Sequence, residues 1–353
     1  MSFEQIIRLS VPALISFVIA LILTPLMRII AMKLKIMDIP NSRKVHKDPK
    51  PYLGGVAIFV AFNVTLVLAL LYGTPLIHRT REIIAIMSGG SIIFIVGLYD
   101  DIKGVAPKIK LLWQIIAAFV AGIILMMSGV QMNLFAPGGL DLLSGTITLI
   151  WIVGITNSFN LLDNMDGLTA GLGVICSFFL FQVAFQREEI LLIFLPLAVL
   201  GSSLGFWFYN KNPARIFMGD CGALFIGFNL AVFSLMGIYN YEGLTRYIAI
   251  LTPILILSIP IFDTISVIII RLKRRVSIFH ADTNHISHRL VYIGMSHRNA
   301  VYLIYMISVT MGIIGLFLPK LSPSEAILLL LHAFLVYLLI VILMLTASKN
   351  KNK

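Results

Sequence analysis

The chain is expected to be an all-α, polytopic integral membrane protein, and two features of its sequence carry that expectation. Hydrophobic residues fill 59% of its 353 positions and charged residues only 12%, a balance far from that of a soluble globular domain. Those apolar residues also recur in runs of about 18 to 25, the length that carries a helix across a hydrocarbon core with every backbone group bonded internally. The runs lie at 11–32, 54–72, 83–99, 111–127, 143–161, 168–185, 190–208, 223–238, 247–270, 300–318 and 326–346. They predict about eleven transmembrane helices, in one domain spanning residues 1–353. The first run is too long for a cleaved signal peptide and lacks the small-residue cleavage pattern, so it counts as a true span.

With an odd number of spans the two ends lie on opposite sides, and positive charge chooses the orientation. A cytosolic C-terminus puts most of the 27 Lys and Arg residues inside: those of the 33–50 and 103–110 connections, Lys211 and Arg215, the 271–298 region and the tail. The net charge of +11 is therefore mainly a topology signal that also suits anionic lipid heads or phosphorylated ligands. Nucleic acid is a poor reading. Cys176 and Cys221 fall in or beside apolar runs and read as packing residues, with no disulfide or metal motif. No internal repeat of the kind common in secondary transporters is visible.

Between the runs, polar residues gather in a few motifs. The connection DIPNSRKVHKDPKPYLGG, 38–55, is turn-rich, with three prolines and a closing Gly-Gly. Its Lys44, His46 and Lys50 read either as positive-inside anchors or as phosphate contacts. The third run ends in GLYDDIKGVAPKIK, which pairs Asp100 with Asp101. Adjacent carboxylates repel, so they suit a site where a cation offsets the repulsion. Magnesium sits between a carboxylate or two and the substrate's own phosphate oxygens, and Lys103, Lys108 and Lys110 can neutralise the remaining charge.

The stretch NSFNLLDNMDGLTAG, 157–171, carries Asn157, Asn160, Asp163, Asn164 and Asp166 between two apolar runs, where unpaired polar groups are costly. Positions three apart drift by about 60° per step around a helix. Asn157 and Asp166 can thus face one ligand only if the helix breaks between them, which Asn164 and Gly167 permit. Further on, Asp220 stands between Gly219 and Cys221-Gly222, either as a helix cap or as a ligand of a closely approaching group. Asp263 interrupts an apolar run, either as a functional acid or paired with Arg271. In FHADTNHISHRL, Asp282 or Thr283 can cap a short helix that shows His285, His288 and Arg289 on one face. Zinc is one reading of this cluster; phosphate contacts by imidazole and guanidinium fit the neighbouring oxygen ligands better.

Taken together and in this order, the Pro-rich loop ending in Gly-Gly, DDIKGVAPKIK, NSFNLLDNMDGLTAG, RIFMGDCGALFIG and HADTNHISHRL resemble the polyprenyl-phosphate N-acetylhexosamine-1-phosphate transferases. These are bacterial enzymes that begin teichoic acid, O-antigen or related surface polysaccharides. The resemblance implies transfer of N-acetylglucosamine 1-phosphate from UDP-N-acetylglucosamine to undecaprenyl phosphate, with release of UMP, at the cytosolic face of the bacterial inner membrane. It implies Mg²⁺, with Mn²⁺ as a substitute, held by Asp220 and Asn160, and it makes Asp100 and Asp101 the catalytic acidic pair. Lys110 becomes a phosphate-binding lysine, Asp163 and Asp166 lie near the nucleotide, and His285, His288 and Arg289 hold the sugar phosphate. Asn157, Lys44 and His46 are candidate substrate contacts on the reading of the residues themselves. A homodimer is compatible with such an enzyme. The chain departs from the pattern at Ser287, where many members have a middle histidine.

A lipid phosphate is largely dianionic at neutral pH and needs no strong base, so direct attack on the sugar-linked phosphorus is favoured over an aspartyl-phosphate route. Two rivals are weighed against this reading. The phospho-N-acetylmuramoyl-pentapeptide transferases carry a denser histidine cluster, whereas a cation-coupled transporter calls for acids at the bilayer midplane, where only Asp263 approaches.

Overall fold

The computed structural model describes residues 3–39, 48–72, 75–128, 142–236, 250–278 and 282–351. Lys44 and His46 lie outside these residues. Helix α1 (Phe3–Lys33) leads into a short antiparallel ladder of β1 (Met37–Asp38) and β2 (Lys50–Pro51), which closes the base of the first connection. Then come α2 (Gly54–Leu71), α3 (Thr80–Lys103), α4 (Pro107–Met127), α5 (Leu142–Leu162), α6 (Leu168–Phe185) and α7 (Ile190–Asn210). The remaining helices are α8 (Asp220–Met236), α9 (Leu251–Ile256), α10 (Ser258–Lys273), α11 (Ile286–Tyr292), α12 (His297–Phe317) and α13 (Pro323–Lys351).

Among the described residues, nine helices are long and apolar enough to cross a membrane. The other two of the roughly eleven expected spans take different forms. Helix α8 has only 17 residues, and the run at 247–270 is broken at Leu257 into α9 and α10. Proline explains that break. Pro260 has no N–H to return to the carbonyl of Ile256, and the Cys176 thiol of α6 donates to that oxygen instead, at 3.3 Å. Cys176 therefore packs, as expected, and also satisfies a carbonyl in the apolar interior.

Helix α8 is the centre of the bundle. Every residue from Cys221 to Met236 is buried, and the helix packs on α2, α3, α5, α6 and α7. A helix apolar on all sides belongs inside, whereas α1 and α13 turn large side chains such as Leu14, Ile22, Phe334 and Leu339 outward, as lipid-facing helices do. The start of α8 is stitched to the start of α2. Phe217 N–H donates to Pro51 O at 2.9 Å, Gly54 N–H to Phe217 O at 3.0 Å and Gly55 N–H to Met218 O at 2.8 Å. At Gly97 of α3 a Cβ would lie 2.5 Å from the Cα of Cys221, so only glycine lets α3 approach α8 this closely.

Gly97→Leu is expected to lower stability by about 1–3 kcal/mol through overpacking, read as a reduced thermal midpoint in detergent. Gly122→Leu in α4, where nothing lies within 4 Å of the added Cβ, should leave the midpoint unchanged; equal drops in the two variants would contradict the close α3–α8 contact.

Candidate active site

Three connections meet at one end of the bundle: the turn from α3 to α4, the turn from α5 to α6, and the segment that enters α8. Helix α3 closes at Gly104, whose φ of +74° ends it just after the two acids, and Val105 N–H donates back to Asp100 Oδ1. Pro107 opens α4 at its first position, where a missing N–H costs nothing. Lys110 follows in the first turn, and its Nζ pairs with both Asp100 Oδ2 and Asp220 Oδ2. Asp101 has a different task. Its Oδ1 accepts from Asp220 N–H at 2.7 Å and its Oδ2 from Cys221 N–H at 3.1 Å, so it caps the buried end of α8. Gly219, at φ +75°, sits against it, and a Cβ there would lie 2.5 Å from Asp101 Oδ2.

Asp163 directly follows α5. Burial pushes its carboxyl up to about 7, and the charges of Asp220, Asp101 and Asp166 add to the effect, so it belongs electrically to the same cluster. Tyr52, at the end of β2, also faces this group. Burial, with Asp38, Asp101 and Asp163 nearby, raises its hydroxyl well above the ordinary value and keeps it protonated.

Other residues expected at a ligand are used within the fold. The chain does break between Asn157 and Asp166, since α5 ends at Leu162 and α6 starts at Leu168. Even so, Asn157 exchanges hydrogen bonds with Gln114 of α4 and donates to Val153 O at 2.9 Å. Asp166 Oδ2 accepts from Asn212 Nδ2 at 3.0 Å and from Ala214 N–H at 2.9 Å, which ties the α5–α6 turn to the segment leading into α8. Asn160, half-buried in the last turn of α5, stands between the two.

The histidine segment departs from expectation in three ways. Arg271 does not pair with Asp263; its Nε donates to Asp282 Oδ2 at 3.0 Å. Asp282 does not cap a helix, because its Oδ1 accepts from Asn284 N–H at 2.9 Å. Against the upward pull of burial, that bond and Arg271 hold Asp282 below the usual carboxylate range. His285 precedes α11 rather than sharing its face with His288 and Arg289, although the two imidazole rings stay close, 6.4 Å between centroids. Burial, with the charge of Arg274, pulls Arg289 down from its ordinary value while Asp263 and Asp282 oppose that, and a guanidinium so placed favours an anion beside it.

Ser287 joins the two halves. It is fully buried, and its Oγ donates to Asn164 Oδ1 at 2.6 Å, one residue from Asp163. The serine that departs from the histidine pattern thus brings the histidine segment against the carboxylate turn. Among the described residues no three His, Cys, Asp or Glu side chains are gathered as a ready metal cage.

Residues 83–238 match glycosyl transferase family 4. Over 98% of its length the chain is 37% identical to a probable undecaprenyl-phosphate N-acetylglucosaminyl 1-phosphate transferase of Bacillus subtilis, covering 93% of that protein. The chain belongs to the polyprenyl-phosphate N-acetylhexosamine-1-phosphate transferases. A decaprenyl-phosphate N-acetylglucosaminephosphotransferase of Mycobacterium leprae is 33% identical over 85% of this chain and 81% of its own. By contrast, a phospho-N-acetylmuramoyl-pentapeptide-transferase of Enterococcus hirae, also 33% identical, matches only 54% of this chain and 62% of its own.

The matched family segment of this transferase holds the whole carboxylate cluster, while the histidine segment lies beyond it. Sequence reasoning missed Tyr52, Gln114 and the contact between Asp263 and His285. The one available signal was an acid within an apolar run, which called for a partner but did not name it.

The raised carboxyl of Asp163 gives a pH dependence of defined sign. Between 3.8 and about 7 the folded protein holds a proton that the unfolded chain has released, so stability from this group is present at low pH and falls as pH rises through that window. Asp163→Asn should flatten the fall in thermal midpoint, measured without divalent cations; parallel curves for the two proteins would overturn the raised carboxyl of buried Asp163.

Proposed function

We propose that the protein transfers N-acetylglucosamine 1-phosphate from UDP-N-acetylglucosamine to undecaprenyl phosphate on the cytosolic face of the bacterial plasma membrane. The products are UMP and undecaprenyl-pyrophosphoryl-N-acetylglucosamine, the first lipid-linked intermediate of a surface polysaccharide. The observation that carries the reading is the joining of Lys110 to Asp100 and Asp220, beside Asp163, in a chain similar over nearly its full length to a transferase of this kind.

Bringing two phosphorylated substrates together is the main physical obstacle, because both are anions. Lys110 contributes a compact positive charge that can serve carboxylate or phosphate oxygens, and Arg289 offers a planar donor fork. Asp100, held by Val105 N–H and Lys110, can orient the attacking phosphate. In the step itself an oxygen of the lipid phosphate bonds to the sugar-linked phosphorus, the bond from that phosphorus to UMP breaks, and UMP leaves with the electron pair.

The donor chemistry fits magnesium. Asp220 and Asn160 offer hard oxygen atoms, and Mg²⁺ characteristically combines one or two carboxylates with substrate phosphates rather than requiring an all-protein cage. When bound, it would supply charge neutralisation at the pyrophosphate and at the departing UMP.

The test is UMP release by purified protein in detergent, supplied with undecaprenyl phosphate, UDP-N-acetylglucosamine and Mg²⁺. Lipid-dependent turnover that chelation abolishes is the expected result, with Asp220→Ala and Lys110→Ala each slower by about 10²-fold or more. Turnover only with UDP-N-acetylmuramoyl-pentapeptide would overturn the donor assignment, and full activity after chelation would overturn the metal.

A further inference from the structure

Asp263 lies inside α10 with no solvent exposure, where an ionised carboxylate is tolerated only if both oxygens are well bonded. Both are. Oδ2 lies 2.6 Å from His285 Nδ1, and Oδ1 accepts from Ile286 N–H at 2.6 Å. Arg271, on the same helix, is turned to Asp282 and to the Ile278 carbonyl, and the acid's direct hydrogen bonds go to the histidine segment. Ser287 fastens that segment from the other side through Asn164. His285 is therefore bonded to α10 two residues before the serine that docks on the turn carrying Asp163.

We infer that Asp263 is a positioning residue for the transfer reaction, fixing the tautomer and orientation of His285 through Nδ1 and leaving the Nε2 edge for a phosphate oxygen of the substrate. A carboxylate can only accept, so the nitrogen facing it must carry the proton, whatever the charge of the ring. Rotating or inverting the imidazole would leave a buried carboxylate oxygen without a donor, which is the cost that locks the ring in place. Carboxylates behind metal-bound and catalytic histidines work in the same way, setting the orientation of a ring they do not share with the substrate. The bond from Ile286 N–H to Oδ1 adds a second anchor, since it ties the first turn of α11 to the same acid. The sequence left Asp263 open between a functional acid and a partner of Arg271, and the structure pairs it with His285.

This inference rests on the transfer reading, and the experiment separates the two. Asp263→Asn keeps an oxygen for Ile286 N–H but presents an N–H₂ group toward Nδ1, which should drive the proton of His285 to Nε2. In protein labelled with ¹⁵N-histidine, the His285 signals, assigned by their loss in His285→Ala, should show Nδ1 protonated in the wild type and Nε2 protonated in Asp263→Asn. With UDP-N-acetylglucosamine and undecaprenyl phosphate as substrates, kcat of Asp263→Asn should fall by about 10²-fold, with the KM for either substrate changed much less. In the His285→Ala background the same substitution should cost nothing further, because a positioning residue acts only through the ring it holds. An unchanged tautomer, a wild-type kcat, or a loss that repeats in full in the His285→Ala background would each overturn the inference. If the Asn variant does not fold, the wild-type spectrum still decides, since a proton on Nε2 rather than Nδ1 is incompatible with it. Absence of turnover by the wild type would fail the transfer reading alone, leaving the tautomer measurement to stand by itself.

Discussion

Helix α8 begins in the interior, and its first N–H groups need acceptors where water cannot provide them. Asp101 meets that need with both carboxylate oxygens, spent on the N–H groups of Asp220 and Cys221. The rest of the site follows from this one contact. It locks the end of α3 to the start of α8, which sets Asp100 and Asp220 close enough for Lys110 to bridge them. The glycines at 97 and 219 serve the same junction, the first by removing a side chain between the helices and the second by allowing a backbone turn against the carboxylate. The site is built from helix ends that meet at the buried α8 in the centre of the bundle.

Charge is then divided between two facing groups. The carboxylate side carries more acids than its single bridging lysine can balance, and Asp163, displaced upward chiefly by burial, is pushed further by the charges of Asp220, Asp101 and Asp166. The histidine side carries His285, His288 and Arg289, with Asp263 and Asp282 used behind them as supports. The Asn164–Ser287 hydrogen bond keeps the two sides together. A carboxylate cluster suited to a cation, with a basic segment docked beside it, is the combination that the proposed reaction between two anions would call for.

Several residue roles were legible only in part. The acids at 100, 101, 163 and 220 could be selected from the sequence because paired or membrane-edge carboxylates are expensive without a function or a partner. Which of them would face a ligand and which would hold the protein together could not be selected that way. Asp101 and Asp166 look like their neighbours in the sequence, yet Asp101 caps α8 and Asp166 fastens the segment before it. Asn157 likewise has the composition of a ligand residue, but its amide is matched by Gln114 from a helix that local spacing does not bring into view. His285 fell off the helix face predicted for it because Asp263 bonds to Ile286 N–H and starts α11 one residue later.

The sequence by itself determined the class of the protein, the positions of its apolar spans, the polar motifs between them and the family they resemble. These depend on composition and on spacing along the chain, which are local properties. The tertiary structure alone decided that α8 is the central helix, that the run at 247–270 breaks at Leu257, that Asp263 serves His285 rather than Arg271, and that Ser287 docks the histidine segment onto the carboxylate turn. Each of these is a contact between residues far apart in the chain. The partner of a buried polar group is chosen by which donors and acceptors packing brings within hydrogen-bond reach, and no local pattern encodes that choice.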